Sequence, residues 1–179
     1  VDSGLDLNAI ATGDLAVDGT LTATGVTTLQ SSAAIAGGGT ITSGSDLNAS
    51  AQSNIDFGTA TSATATLNAQ TGSINGTSLT AATATLNAGA HIGNAAALNT
   101  SASVIAATAA SGNIHIENNR AGNVVVTSLS AGGDMRFRQL GATSLSVQSA
   151  AAGQHALIDL ASGAVLTITN LNAGDLATV

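Results

Sequence analysis

Apolar residues return along this chain at intervals of 19 to 21 positions. From Leu15 the stops are Ile35, Ile55, Ile74, Ala95, Ile114, Met135, Ala156 and Leu176, all apolar. One place earlier stand Asp14, Asn54, Ser73, Asn94, Asn113, Asp134, His155 and Asp175, with Ala34 the one apolar member. Two places later come residues such as Val17, Phe57, Ile116, Phe137 and Ile158. Inward, outward, inward is the period of a β-strand, whose side chains alternate between its faces. A second column, half a turn away, reads Leu7, Thr27, Leu47, Leu67, Leu86, Ile105, Val126, Val147 and Ile168, and only Thr27 breaks it.

One duplication anchors this periodicity. Ala63-Thr-Ala-Thr-Leu-Asn-Ala69 recurs unchanged as Ala82-Thr-Ala-Thr-Leu-Asn-Ala88. Its spacing predicts Leu67 and Leu86 as neighbours in one buried column. Short segments that return at a fixed spacing are the mark of a solenoid, in which stacking buries what one turn cannot. The pattern predicts an all-β parallel β-helix of about nine turns, forming one domain over residues 1–179. Gly72-Ser73, Gly93-Asn94, Gly112-Asn113 and Gly133-Asp134 mark its corners, where a left-handed backbone would favour Gly and Asn.

Composition narrows the surface and the core. Aromatics are 1% and charged residues 7%, so the core is aliphatic and the surface is Ser, Thr, Asn and Gly. The absence of Pro suits uninterrupted strand ladders. Without Cys there is no disulfide or thiolate site. A net charge of −7 with three Arg and no Lys argues against nucleic acid and against anionic membrane, both of which need clustered cations. No apolar run is long enough for membrane insertion. A start at Val1 and a motif, Gly174-Asp175-Leu176, that begins another turn suggest a segment of a longer protein or a subunit that stacks end to end.

Two stretches carry a family resemblance. Gly112-Asn113-Ile114-His115-Ile116 and Ser128-Leu-Ser-Ala-Gly-Gly-Asp-Met135 resemble the degenerate repeats of filamentous haemagglutinin-type exoproteins, the large surface adhesins exported by two-partner secretion. The likeness is best from about residue 60 to 175. It implies a single-stranded, right-handed parallel β-helix on the surface of a Gram-negative bacterium, serving adhesion, biofilm matrix or a stalk. Implied partners are further repeats or copies of the chain, and matrix or host glycans and proteins.

Candidate chemistry is sparse. In a 21-residue register Glu117, Arg138 and Asp159 share an outward column, as a charge ladder or, with Arg136 and Arg120, as a patch for acidic glycans. His91, His115 and His155 lie on different turns without metal-ligand spacing, so neither metal nor cofactor is expected. No nucleophile elbow or matched His–Asp pair is evident, and catalysis is not expected. A polysaccharide-active enzyme would need a groove walled by long loops, which turns this regular do not offer. An ice-binding solenoid is the other alternative. Thr20/Thr22, Thr40/Thr42, Thr64/Thr66 and Thr83/Thr85 would give four stacked pairs, but the array then lapses until Thr167/Thr169. Asn48, Asn75 and Asn99 open N-glycosylation patterns that a chain of this composition produces by chance.

Overall fold

The computed structural model describes residues 1–161 and 163–179. Its 21 strands pair only in parallel, and no helix occurs among the described residues. Each strand pairs with its equivalent one turn before and one turn after. The chain is therefore a parallel β-solenoid of about nine turns, with three sheets running along it.

The first sheet contains Leu7–Ala11, Thr27–Ser31, Asp46–Ala51, Thr64–Ala69 and their successors. Three inward columns run up it. The first is Leu7, Thr27, Leu47, Ala65, Ala84, Ile105, Val126, Val147 and Ile168. The second is Ala9, Leu29, Ala49, Leu67, Leu86, Ala107, Leu129, Ala150 and Leu171. In most turns one of the two supplies the bulk and the other a small residue, so side chains interlock rather than collide. The third column is Ala in every turn except at Ser31: Ala11, Ala51, Ala69, Ala88, Ala109, Ala131, Ala152 and Ala173. The strand ends here and bends into the corner, and the position takes only small side chains.

Leu67 and Leu86 stack as the duplication predicts, but the column expected from sequence crosses between two real ones. Leu47 stacks on Ala65 rather than Leu67, because that step is 18 residues. Ile105 stacks on Ala84, and Leu86 on Ala107. A slip of two residues leaves every side chain on its original face. Leu47, Leu67, Leu86, Ile105, Val126 and Val147 are accordingly all buried, while Ile168 in the last turn is partly covered.

The second sheet carries Leu15, Ile35, Ile55, Ile74, Ile92, Ile114, Met135, Ala156 and Ala177 in one column. Two expected members are displaced. Ala95 is exposed and Ile92 takes its place, because the step from Ile74 is 18 residues and the next is 22. The surplus bulges out after Gly93, whose φ is +68°. At the carboxyl end Ala177, not Leu176, pairs with Ala156, which leaves Leu176 60% exposed. Lower in this sheet, Phe57 stacks on Gly76, and a Cβ on Gly76 would lie 2.4 Å from the ring. The missing side chain is the space the ring fills.

The corner between these sheets is closed by side chains. Ala34 N–H donates to Asp14 Oδ1 (3.0 Å), Ser73 N–H to Asn54 Oδ1 (2.8 Å) and His91 N–H to Ser73 Oγ (3.3 Å). Further up, Asn113 N–H donates to His91 Nδ1 (2.9 Å), Asp134 N–H to Asn113 Oδ1 (2.9 Å) and His155 N–H to Asp134 Oδ1 (3.1 Å). The polar column one place before the aliphatic one is thus a ladder of acceptors that satisfies bent backbone. This corrects the reason for the corner glycines. Gly72, Gly112 and Gly133 do not adopt positive φ. A Cβ on them would fall 2.4 Å from Asn54 Oδ1, 2.5 Å from His91 Nδ1 and 2.3 Å from Asn113 Oδ1, respectively. They make room for the acceptor of the turn before.

The third sheet begins with Asp2–Ser3, Thr20–Ala23 and Thr40–Ser43 and continues through parts of Ile55–Thr61, Ile74–Ala88 and Leu98–Ala109. Its inward column is Leu21, Ile41, Ala60, Leu79, Thr100, Asn118, Gln139 and Leu160. The expected Thr array is also redrawn. Thr64/Thr66 and Thr83/Thr85 belong to the first sheet, on a different face from Thr20/Thr22 and Thr40/Thr42. What stacks on Thr40/Thr42 is Thr59/Thr61, then Ser78/Thr80.

Candidate functional site

The chemistry concentrates on Ile114–Asn118, Met135–Gln139 and Ala156–Leu160, strands that run from the second sheet into the third. Alternation directs Met135, Phe137 and Gln139 inward and Arg136 and Arg138 outward. Arg138 pairs in register with Glu117 below and Asp159 above. Its Nη1 donates to Glu117 Oε1 at 2.7 Å and its Nε to Asp159 Oδ2 at 3.0 Å. These two hydrogen bonds hold the guanidinium more firmly protonated than usual. Arg138 is therefore spent on its own ladder, and little of its charge remains for a ligand.

Arg136 differs. It is exposed, and no carboxylate lies within ion-pair distance of it among the described residues. It stacks over His115 and under Leu157. With Asn94, Asn113, His115 and Asp134 it lines a shallow groove of ≈ 180 Å³. His115 Nε2 is buried there without a hydrogen-bond partner. Burial chiefly, and then the Arg136 charge, lower the pKa of His115 below its ordinary 6.5, so the ring is neutral at pH 7. Asp134, the groove's acid, is engaged from outside it: His155 Nδ1 lies 2.8 Å from Oδ1, and that hydrogen bond lowers the carboxyl pKa. Arg120 stands apart from both arginines in the exposed turn after Asn118; its carbonyl accepts from Gln139 Nε2 at 3.0 Å.

Beneath the charge ladder lies a network that sequence reasoning missed. Thr100, Asn118 and Gln139 are 2%, 0% and 0% exposed. Thr100 Oγ1 donates to Asn118 Oδ1 (2.9 Å), and Asn118 Nδ2 donates to Gln139 Oε1 (2.8 Å) and to the Ala102 carbonyl (3.0 Å). Ala102 N–H returns a bond to Asn118 Oδ1 at 2.9 Å. A buried amide is tolerated because it is satisfied on both its oxygen and its nitrogen. Its signal was three polar residues in an otherwise aliphatic column, legible only once the register is known.

The three histidines do not converge, and no group of three or more His, Asp or Glu side chains is placed to hold a metal among the described residues. His91 and His155 act in the corner ladder and His115 in the groove. No family model, curated protein or solved structure matches this chain.

Proposed function

We propose that this chain is a structural segment of an extracellular or cell-surface fibre or adhesin, in which the coil supplies length and stiffness. The observation that carries this reading is the continuity of the aliphatic columns through about nine turns. Nine turns at about 4.8 Å make a rod roughly 40 Å long. The end turns leave the same columns only partly covered, at Leu7, Ala9, Leu15, Ile168 and Leu171. Further turns or a second copy would cover them, so the proposed partner is more of the same coil. The Gram-negative cell surface follows from the repeat resemblance.

In this reading the groove beside Arg136 is a contact point for a carboxylate-bearing glycan, and no catalytic step is assigned. Asp134 is already engaged by His155, and the buried Nε2 of His115 has no hydrogen-bond partner in the chain. Electron microscopy of the purified chain at rising concentration tests the structural role. Rods of roughly 40 Å that join lengthwise are expected; compact particles that never join would reject end-to-end stacking. Antibody labelling confined to permeabilised cells of the source organism would reject the surface location.

A further inference from the structure

The third sheet presents a second surface, distinct from the charged one. On five successive turns its outward positions are Thr20 and Thr22, Thr40 and Thr42, Thr59 and Thr61, Ser78 and Thr80, Asn99 and Ser101. Thr20, Thr40, Thr59, Thr61, Thr80 and Asn99 are exposed and the others half-buried. The rows stay in register although steps elsewhere in the coil run from 18 to 22 residues. Thr59 Oγ1 donates to Thr40 Oγ1 at 3.1 Å, which ties these two rows together.

What surrounds the rows keeps them accessible and stiff. On the first three of these turns Gly19, Gly39 and Gly58 border one side, and Thr24, Gly44 and Ala63 the other, so no bordering side chain there stands taller than Thr. No charged residue occupies either file over these turns, which are bounded by Asp2 below Thr22 and Glu117 above Asn99. Behind the sheet, Ile41, Ala60 and Leu79 are at most 3% exposed, and Leu21 packs against the same core.

The result is a two-file mesh of hydroxyls and methyls, spaced about 4.8 Å between turns and about 6.6 Å along the strand. The spacing between turns is close to the a-axis oxygen repeat of hexagonal ice. Hydroxyls can join a water lattice, and the methyls between them order water without competing for it by charge. A soluble glycan would find no aromatic platform and no charge here. We propose that this face binds ice.

The test is thermal hysteresis and ice-crystal shaping by the purified chain, beside two variants. Thr42→Lys with Thr61→Lys places bulky charges in the middle of the mesh. Thr66→Lys with Thr85→Lys places the same charges on the first sheet. Circular dichroism confirms folding of both. We expect hysteresis and faceted crystals from the unmodified chain and from the first-sheet variant, and at least tenfold less hysteresis from the mesh variant. Absence of hysteresis and shaping in the unmodified, folded chain overturns the proposal. So does equal loss in both variants, or full activity in the mesh variant.

Discussion

One column of the third sheet is built in two chemistries. In the lower turns its outward positions are Thr20, Thr40, Thr59 and Ser78, over the aliphatic Leu21, Ile41, Ala60 and Leu79. In the upper turns the same outward file is Glu117, Arg138 and Asp159, and the inward file holds Asn118 and Gln139. The backbone is the same, with parallel pairing throughout. What differs is how polarity is managed. In this column the lower turns keep polar groups outside, where water completes them. The upper half carries amides into the core and satisfies them across turns. Stacking makes the second solution possible, because a side chain of one turn always has an equivalent neighbour directly above and below.

The sharpest way to break the comparison is to put an amide where the lower half has none. Ile41→Asn stands between Leu21 and Ala60, with no side-chain partner in its column. It should cost about 4 kcal/mol, the scale for burying an amide without hydrogen bonds, read as a lower urea midpoint. The reverse, Asn118→Ala, strands Thr100, Gln139 and the Ala102 backbone and should cost about 3 kcal/mol. If Asn118→Ala is neutral in urea unfolding, the amide network is not stabilising.

The lower half also contains an imperfection. Thr27 is 1% exposed between Leu7 and Leu47, and its hydroxyl has no partner. Thr27→Val should raise stability by about 1 kcal/mol, visible as a higher thermal midpoint. A smaller effect concerns pH. His115 has a folded pKa below its ordinary 6.5, so the unfolded chain takes up the proton first. Stability should therefore fall as pH drops through about 6.5 and level off below the folded pKa. His115→Gln should flatten that part of the urea-midpoint profile. Smallest of all, Arg138→Ala should leave the midpoint within error at physiological salt, since the ladder it closes lies at the surface.

Much of this fold was legible because stacking writes itself as spacing. Leu15, Ile35, Ile55, Ile74, Ile114 and Met135 share one column at the predicted positions. The duplicated segments stack residue for residue. What sequence misplaced came from uneven turns. Steps of 18 and 22 residues cancel over two turns, so an average period of 20 passes through Ala95 while the chain uses Ile92. The same unevenness hid the Thr59/Thr61 row, which continues the first two Thr rows, and suggested Thr64/Thr66 instead. The amide network was illegible for a different reason. Asn118 looks like any surface Asn until its vertical neighbours are known.

The corner ladder has one further consequence. In every bond the acceptor is a side chain of the earlier turn and the donor is backbone of the later one. The coil therefore has a plus and a minus end: one face offers N–H groups, the other acceptors. Two coils can extend this ladder only head to tail. Such an interface is heterologous and does not close on itself, so assembly through it yields a polar fibre that grows differently at its two ends, never a closed symmetric dimer.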